Sequence, residues 1–278
     1  MALKLMYITN KPKIASIVQK SGIDRVFIDM EYIGKEERQR GLNTVKSHHT
    51  VEDIKKVRSV LDKTELLVRI NPIHEKSDDY IGSKDEIERV IQAGADIIML
   101  PMFKTAEEVT RFVDYVGGRA RVMLLIETKE SAENIDMISV IPGIDEIHIG
   151  LNDLHLAYKK KFMFELLSEG LIDDLCSKIR KNGVQYGFGG IARLGYGMLP
   201  AEKVITEHYR LGSSMAILSR AFCNAENMTD LNEIEQLFTK EVKRIREYEK
   251  TVSGYSEIEF LKNHLEVIKC VGEIVQKM

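Results

Sequence analysis

The chain has 278 residues, 44% of them hydrophobic, with 40 Lys and Arg against 43 Asp and Glu. That length buries a full core in one large α/β domain or two ordinary ones, and a net charge of −3 leaves no basic footprint for nucleic acid or an acidic membrane surface. Cys176, Cys223 and Cys270 lie far apart, the opening MALKLMYITNK is too short in apolar residues for a signal peptide, and no run reads as a membrane span, so a reduced, cytoplasmic protein is expected.

In chain order, Leu3 to Thr9 reads as a short strand and Lys13 to Lys20 as a helix closing near Gly22. Arg25 to Glu31, RVFIDME, is a buried strand finishing in two acids, Asp29 and Glu31. From Tyr32 to Thr50 the chain is polar and lacks apolar period, the profile of an active-site loop following a strand. Thr50 with Asp53 opens the next helix. Glu65 to Ile70 is a strand closed by Asn71-Pro72, Asp85 to Ala93 a helix stopped by Gly94, and Asp96 to Leu100 a strand broken by Pro101. Thr105 to Val116 is a helix closed by Gly117-Gly118.

The central stretch, Arg121 to Leu156, reads as apolar strand, acid, helix, apolar strand, acid. Its acids are Glu127, after Val122 to Ile126, and Asp153, just past Ile147-His148-Ile149-Gly150. Apolar runs alternating with helices point to a parallel sheet, in which successive strands end side by side. Glu127 and Asp153 therefore meet at one rim, where a carboxylate pair suits a hard divalent cation that keeps positions open for substrate oxygens. A helix from Leu171 to Lys181, strands at Val184 to Phe188 and Ser213 to Leu218, and two charged helical stretches complete the chain. About eight strand–helix alternations are legible, the count of a (β/α)8 TIM barrel; a doubly wound open sheet is the rival. The expected division is a barrel over 1–228 and a C-terminal helical extension over 229–278. The face of Leu261, Leu265, Ile268 and Val271 packs either on the barrel or on a neighbouring subunit.

LLVRINP (66–72), GADIIMLPM (94–102), LLIET (124–128) and GIDEIHIGLNDLHL (143–156) resemble the HpcH/HpaI aldolase and citrate lyase β-chain family, in the same order across roughly residues 22 to 222. The resemblance implies a (β/α)8 barrel with a divalent metal, Mg or Mn. It also implies carbon–carbon bond chemistry beside a 2-oxo acid or acyl thioester, and oligomeric assembly. Carried over, Arg69 ends the strand before the metal strands, and Glu127 and Asp153 bind the metal. An enolate needs positive charge near its developing oxyanion, which a dication and the Arg69 fork supply. In the aldolase branch the segment IDMEY reads Asp-x-Glu-His; here Tyr32 stands in place of that His, while Asp29 and Glu31 are retained.

The proton-handling candidates are then Asp29, Glu31, His48 and His49, the acids having the alternative role of holding Arg69 or a loop in place. His148 within its strand reads as a hydrogen-bonded core residue, and His155 as a helix residue or part of the mouth. The glycine-rich run Gly187 to Gly190 reads as a rim loop, with Gly150, Asn152 and Arg193 as substrate contacts. The expected activity is that of a class II aldolase, cleaving or forming a 4-hydroxy-2-oxo acid from pyruvate and an aldehyde. A citryl- or malyl-CoA-type lyase and a non-catalytic barrel subunit are the rivals. Expected partners are these small molecules and further copies of the chain.

Overall fold

The structure, a computed structural model, describes residues 2–35, 48–225 and 227–278. Most of the polar stretch read as an active-site loop, 36–47, lies outside the described residues. Eight strands close into a parallel barrel in chain order: β1 (Lys4–Ile8), β2 (Arg25–Asp29), β3 (Glu65–Arg69), β4 (Ile97–Leu100), β5 (Arg121–Ile126), β6 (Glu146–Ile149), β7 (Gln185–Ile191) and β8 (Met215–Leu218). β1 pairs with both β2 and β8, so no sheet edge is left and the open-sheet rival is excluded. The fold is the (β/α)8 TIM barrel.

Strand composition follows from burial on both faces. Outward residues such as Val26, Ile28, Leu66, Val68, Ile147 and Ile149 join the layer under the helices, while Met6, Phe27, Leu67, Met99, Met123 and Met215 fill the barrel interior. The outer ring holds α1 (Pro12–Lys20), α2 (Val51–Arg58), α3 (Ser83–Gln92), α4 (Ala106–Val116), α5 (Lys129–Glu133) and α6 (Ile135–Ile138). It continues with α7 (Leu151–Ala157), α8 (Glu165–Ser168), α9 (Leu171–Lys181) and α10 (Ala201–Leu211). Thr50, Thr105 and Thr128 begin α2, α4 and α5 with reciprocal capping boxes, so those starts are written locally.

The run Gly187 to Gly190 corrects one expectation: it lies within β7 and is not a rim loop. A Cβ on Gly187 would sit 2.2 Å from the Met215 carbonyl oxygen, so glycine is what lets β7 approach β8. The β7–β8 register shifts between Gly187 and Gly190.

After β8 come α11 (Leu231–Val252) and α12 (Glu257–Gln276). α11 is tied to the barrel through Glu249, which accepts from the Leu3 backbone N–H at 2.7 Å, and Arg246, which donates to the Leu3 carbonyl. α12 docks on α10: Asn263 donates to Glu207 at 2.9 Å and His264 Nδ1 lies 2.9 Å from it. The expected apolar face splits. Val267 and Val271 are buried against the body, whereas Leu261, Leu265 and Ile268 are 57%, 58% and 41% exposed. Among the described residues, no helix is long and apolar enough to cross a membrane.

Candidate active site

β2 and β3 end side by side with Asp29 opposite Arg69 in register. Both point inward, and the Arg69 fork closes on the carboxylate: Nε donates to Asp29 Oδ1 and Nη2 to Oδ2, each at 2.9 Å. Nη1 lies 3.2 Å from Glu31 Oε2. Lys35 Nζ adds a second cation, 2.8 Å from Asp29 Oδ2 and 3.7 Å from Glu31 Oε2. Burial alone would raise the Asp29 carboxyl, but Arg69 and Lys35 outweigh it and hold Asp29 well below the usual carboxylate range. Burial likewise opposes the Arg69 charge, yet Asp29 and Glu31 keep the guanidinium more firmly protonated than a free arginine. Arg69 is thus a fixed cation, its plane set by a bidentate partner.

β5 and β6 also end side by side. Glu127 follows β5, is buried, and accepts from the Met102 backbone N–H at 3.1 Å. Met102 supplies that N–H from left-handed backbone, φ 54°, just after Pro101 breaks β4. Gly150, which donates its N–H to the Ile126 carbonyl at 2.9 Å, leaves room for the acid: a Cβ there would lie 3.1 Å from Glu127 Oε2. Asp153 stands in the first turn of α7, half-buried and facing the same cavity.

Burial pushes the Glu127 carboxyl well above the usual range; Arg69 opposes this, and Glu31 and Asp153 add to it. Among the described residues, four carboxyl groups, Asp29, Glu31, Glu127 and Asp153, stand here beside two cations, Arg69 and Lys35. The hard oxygens of Glu127 and Asp153, whose proximity helps to raise the Glu127 carboxyl, fit a divalent cation such as Mg or Mn, which would relieve the repulsion. Among the described residues, no group of three or more His, Cys, Asp or Glu side chains converges on one point as ligands. Glu127 and Asp153 are the two carboxyl groups here that could offer oxygens to such an ion.

These groups open onto a cavity of about 700 Å³ at the C-terminal mouth of the barrel, the end at which barrel enzymes do chemistry. Asp29, Lys35, Arg69, Glu127, Gly150, Asn152 and Asp153 line it. The other expected residues fall elsewhere. Glu31 is buried behind Arg69. His48 is exposed, and His49 is buried with Nδ1 accepting the Asp29 backbone N–H at 3.0 Å. Tyr32 and Ile33 donate their backbone N–H groups to Asn71 Oδ1, and Asn71 is held in turn by Glu86. His155 Nδ1 contacts the Leu151 carbonyl one turn back. Arg193 does not join the main cavity. It lines an adjoining pocket of about 350 Å³ with its guanidinium 4.1 Å from the Tyr196 ring centroid.

One residue escaped the sequence reading. Lys35, four residues after Glu31, is the second cation of the cluster; its spacing was a signal, but it was hidden in an aperiodic polar stretch. His148 is the hydrogen-bonded core residue expected, fully buried, and it also reaches the cavity wall. Its Nε2 donates to the Gly189 carbonyl at 3.1 Å, which leaves Nδ1 a buried acceptor without a partner. Burial, with Arg25 and Arg69 nearby, pulls this imidazole down to about 4, so it is neutral near pH 7.

The comparisons agree with this architecture. The family described as HpcH/HpaI aldolase/citrate lyase matches residues 4–162. No curated protein sequence matches the chain. Among solved structures, the HpcH/HpaI aldolase from Desulfitobacterium hafniense superposes with a TM-score of 0.62 at 18% identity, covering 88% of this chain and 93% of that one. A citrate lyase from Burkholderia xenovorans gives 0.58 at 13% identity over 99% and 93%. The citrate synthase SbnG gives 0.57 at 15% identity over 88% and 94%. At these identities the solved structures support the fold.

Proposed function

We propose, from the premise that this chain belongs to the HpcH/HpaI aldolase/citrate lyase family, that it is a divalent-metal-dependent class II aldolase. It cleaves a 4-hydroxy-2-oxo acid to pyruvate and an aldehyde, or runs the condensation. The observation that carries this reading is the meeting, in one cavity, of the crowded Glu127–Asp153 pair with the fixed Arg69 cation.

In this reading Glu127 and Asp153 hold Mg or Mn, which when bound supplies positive charge and a template for the keto and carboxylate oxygens of pyruvate. Gly150 keeps Glu127 free of steric pressure, and Gly150 and Asn152 border the substrate carboxylate. Arg69, its plane set by Asp29 and Glu31, adds charge beside the keto oxygen as the enolate forms. Of Asp29, Glu31, His48 and His49, Asp29 is the one that borders the cavity, so it takes the proton from the 4-hydroxyl. Its pairing with Arg69 and Lys35 makes it a weak base, which relays the proton through water and does not store it. His49 positions Asp29 through the backbone, and Glu31 positions Arg69.

Residues 1–228 act as the catalytic barrel and 229–278 as a helical extension. The exposed Leu261, Leu265 and Ile268 support assembly as a homo-oligomer, and three unpaired cysteines suit a reducing cytoplasm. The thioester reading has less support: the Lys159–Lys161 run does not border the cavity. The test is pyruvate C3 proton exchange followed by NMR with Mg or Mn added, and with Glu127→Gln as control. Metal-dependent exchange that the substitution removes is expected; a wild-type protein that binds metal and exchanges nothing would sink the pyruvate reading.

A further inference from the structure

The mouth of the cavity has two chemically distinct halves. The charged groups used above come from β2 and the chain just after it, the ends of β3 and β5, and the start of α7. The opposite wall is built by β7, β8 and β1, contiguous in the closed barrel, together with residues 162–164 and the segment leading into α10. That wall is mainly apolar: Tyr7, Ile8, Phe162, Phe164, Leu199 and Ile217 line it, with Ser219, Arg220 and Asn224 following β8. Its aromatic members are locked. The Tyr7 hydroxyl donates to the Cys223 carbonyl at 3.2 Å and its ring packs edge-on against Phe238, while Phe162 and Phe164 meet edge-to-face at 5.4 Å. Ile8 and Ile217, the inward residues nearest the mouth on β1 and β8, are only half-buried. The apolar surface continues outward to Met198, which is 62% exposed and also lines the cavity.

A pyruvate unit occupies a small part of about 700 Å³ and needs only the polar wall. Ile8, Ile217 and Met198 leave apolar surface open to the cavity, backed by the buried Tyr7, Phe162, Phe164 and Leu199, and such surface at a mouth is a cost unless a ligand covers it. We infer that the aldehyde partner carries an apolar tail, an unbranched alkyl chain or an aromatic ring, seated on Ile8, Ile217 and Met198 over the buried floor of Tyr7, Phe162, Phe164 and Leu199. This rests on the aldolase reading for what happens at the other end of the ligand. There the C3–C4 bond of the 4-hydroxy-2-oxo acid breaks, the 4-hydroxyl loses its proton to become the aldehyde, and C3 takes up a proton to become the pyruvate methyl. A tail with a distal anion is the competing chemistry, for which Arg220 on the cavity wall and Arg193 in the adjoining pocket are the cations at hand. The main wall, however, offers the tail chiefly carbon.

The test compares propanal, butanal, pentanal and hexanal with pyruvate and Mg, with glycolaldehyde and succinic semialdehyde as polar and anionic controls. Each buried methylene is expected to raise kcat/KM about 4-fold, so that hexanal exceeds propanal on the order of 50-fold. Leu199→Ser and Ile217→Thr are expected to flatten that slope. A flat series, or preference for succinic semialdehyde or glycolaldehyde, overturns the inference. Binding of 1-propanol and 1-hexanol, measured by saturation-transfer NMR on the intact wild-type protein, reads the same wall without turnover. Preferential binding of 1-hexanol with no pyruvate exchange would leave the apolar site standing and remove the aldolase reading. Exchange with equal binding of the two alcohols would do the reverse. Because the wild-type series decides the matter, a misfolded variant does not obscure it.

Discussion

The barrel carries an arginine–carboxylate cluster at each end, and β2 and β3 contribute to both with the signs reversed. At the N-terminal end, Arg25 opens β2 and Glu65 opens β3; at the C-terminal end, Asp29 closes β2 and Arg69 closes β3. The lower cluster is saturated. Arg25 is fully buried, forks onto Glu146 at 2.6 and 2.7 Å and reaches Glu65 at 2.9 Å. Lys4 adds a contact to Glu146 at 3.0 Å, and Arg121 closes on Glu65. The upper cluster crowds Glu127 with Glu31 and Asp153 beside Arg69 and faces a cavity. Similar residues thus give a plug at one end and a site at the other. The difference is that one cluster is packed shut between strands and the other opens onto a cavity.

The largest way to break this comparison is Arg25→Met. It leaves Glu146 buried without its main partner, and unfolding free energy measured by denaturant titration is expected to fall by about 3–5 kcal/mol. Pyruvate exchange by the fraction still folded should be little changed, because the plug lies at the opposite end of the barrel and does not line the candidate cavity; a loss of exchange without loss of stability would refute the structural role. Glu127→Gln is the opposite case. Exchange is expected to fall by about 10²–10³-fold, while the metal-free protein becomes more stable because a crowded buried carboxylate has been neutralised. If that variant were destabilised as strongly as Arg25→Met, Glu127 would belong with the plug.

Acid sharpens the contrast through two groups between the ends. His148 is held at about 4 and His208 at about 3, both chiefly by burial. His208 stacks flat on Phe188 and bonds Ser213 Oγ at 2.7 Å. Their folded values lie below the unfolded value of about 6.5, so as pH falls the unfolded chain takes up protons first. Their contribution is complete above about pH 6.5 and declines toward pH 4, by about 1.4 kcal/mol per pH unit for each. His208→Gln is expected to remove one such share from the slope, read as denaturation midpoints at pH 7, 6 and 5. An unchanged slope would show that His208 does not titrate as described.

What was legible in the chain follows the same division. Strands and helices could be read because runs buried on both faces, capping threonines and closing glycines are local signals. Asp29, Arg69, Glu127 and Asp153 could be read because each stands at or just beyond the end of such a run, where packing does not explain a charge. Arg25 and Glu146 open their strands and look like ordinary flanking charges; only closure of the barrel brings them together. Lys35 lacked any apolar frame to announce it. The apolar wall was least visible, since Tyr7, Phe164 and Ile217 come from distant segments and each reads singly as core.

Met102 is the smallest and most local test. Its φ of 54° places a side-chain-bearing residue where glycine is at ease, and the backbone N–H it presents there is a donor to Glu127. Left-handed backbone costs such a residue about 1–2 kcal/mol, and glycine gives back part of that gain through the greater freedom of the unfolded chain. Met102→Gly is therefore expected to stabilise the protein by up to about 1 kcal/mol while preserving the N–H, whereas Met102→Pro removes the donor and forbids the angle. If the strain serves the site, the glycine variant should keep the fold yet hold Glu127 less firmly, weakening Mn affinity in a titration of the folded protein. Unchanged Mn affinity alongside higher stability would make the turn a consequence of Pro101 breaking β4, and would place Met102 outside the site.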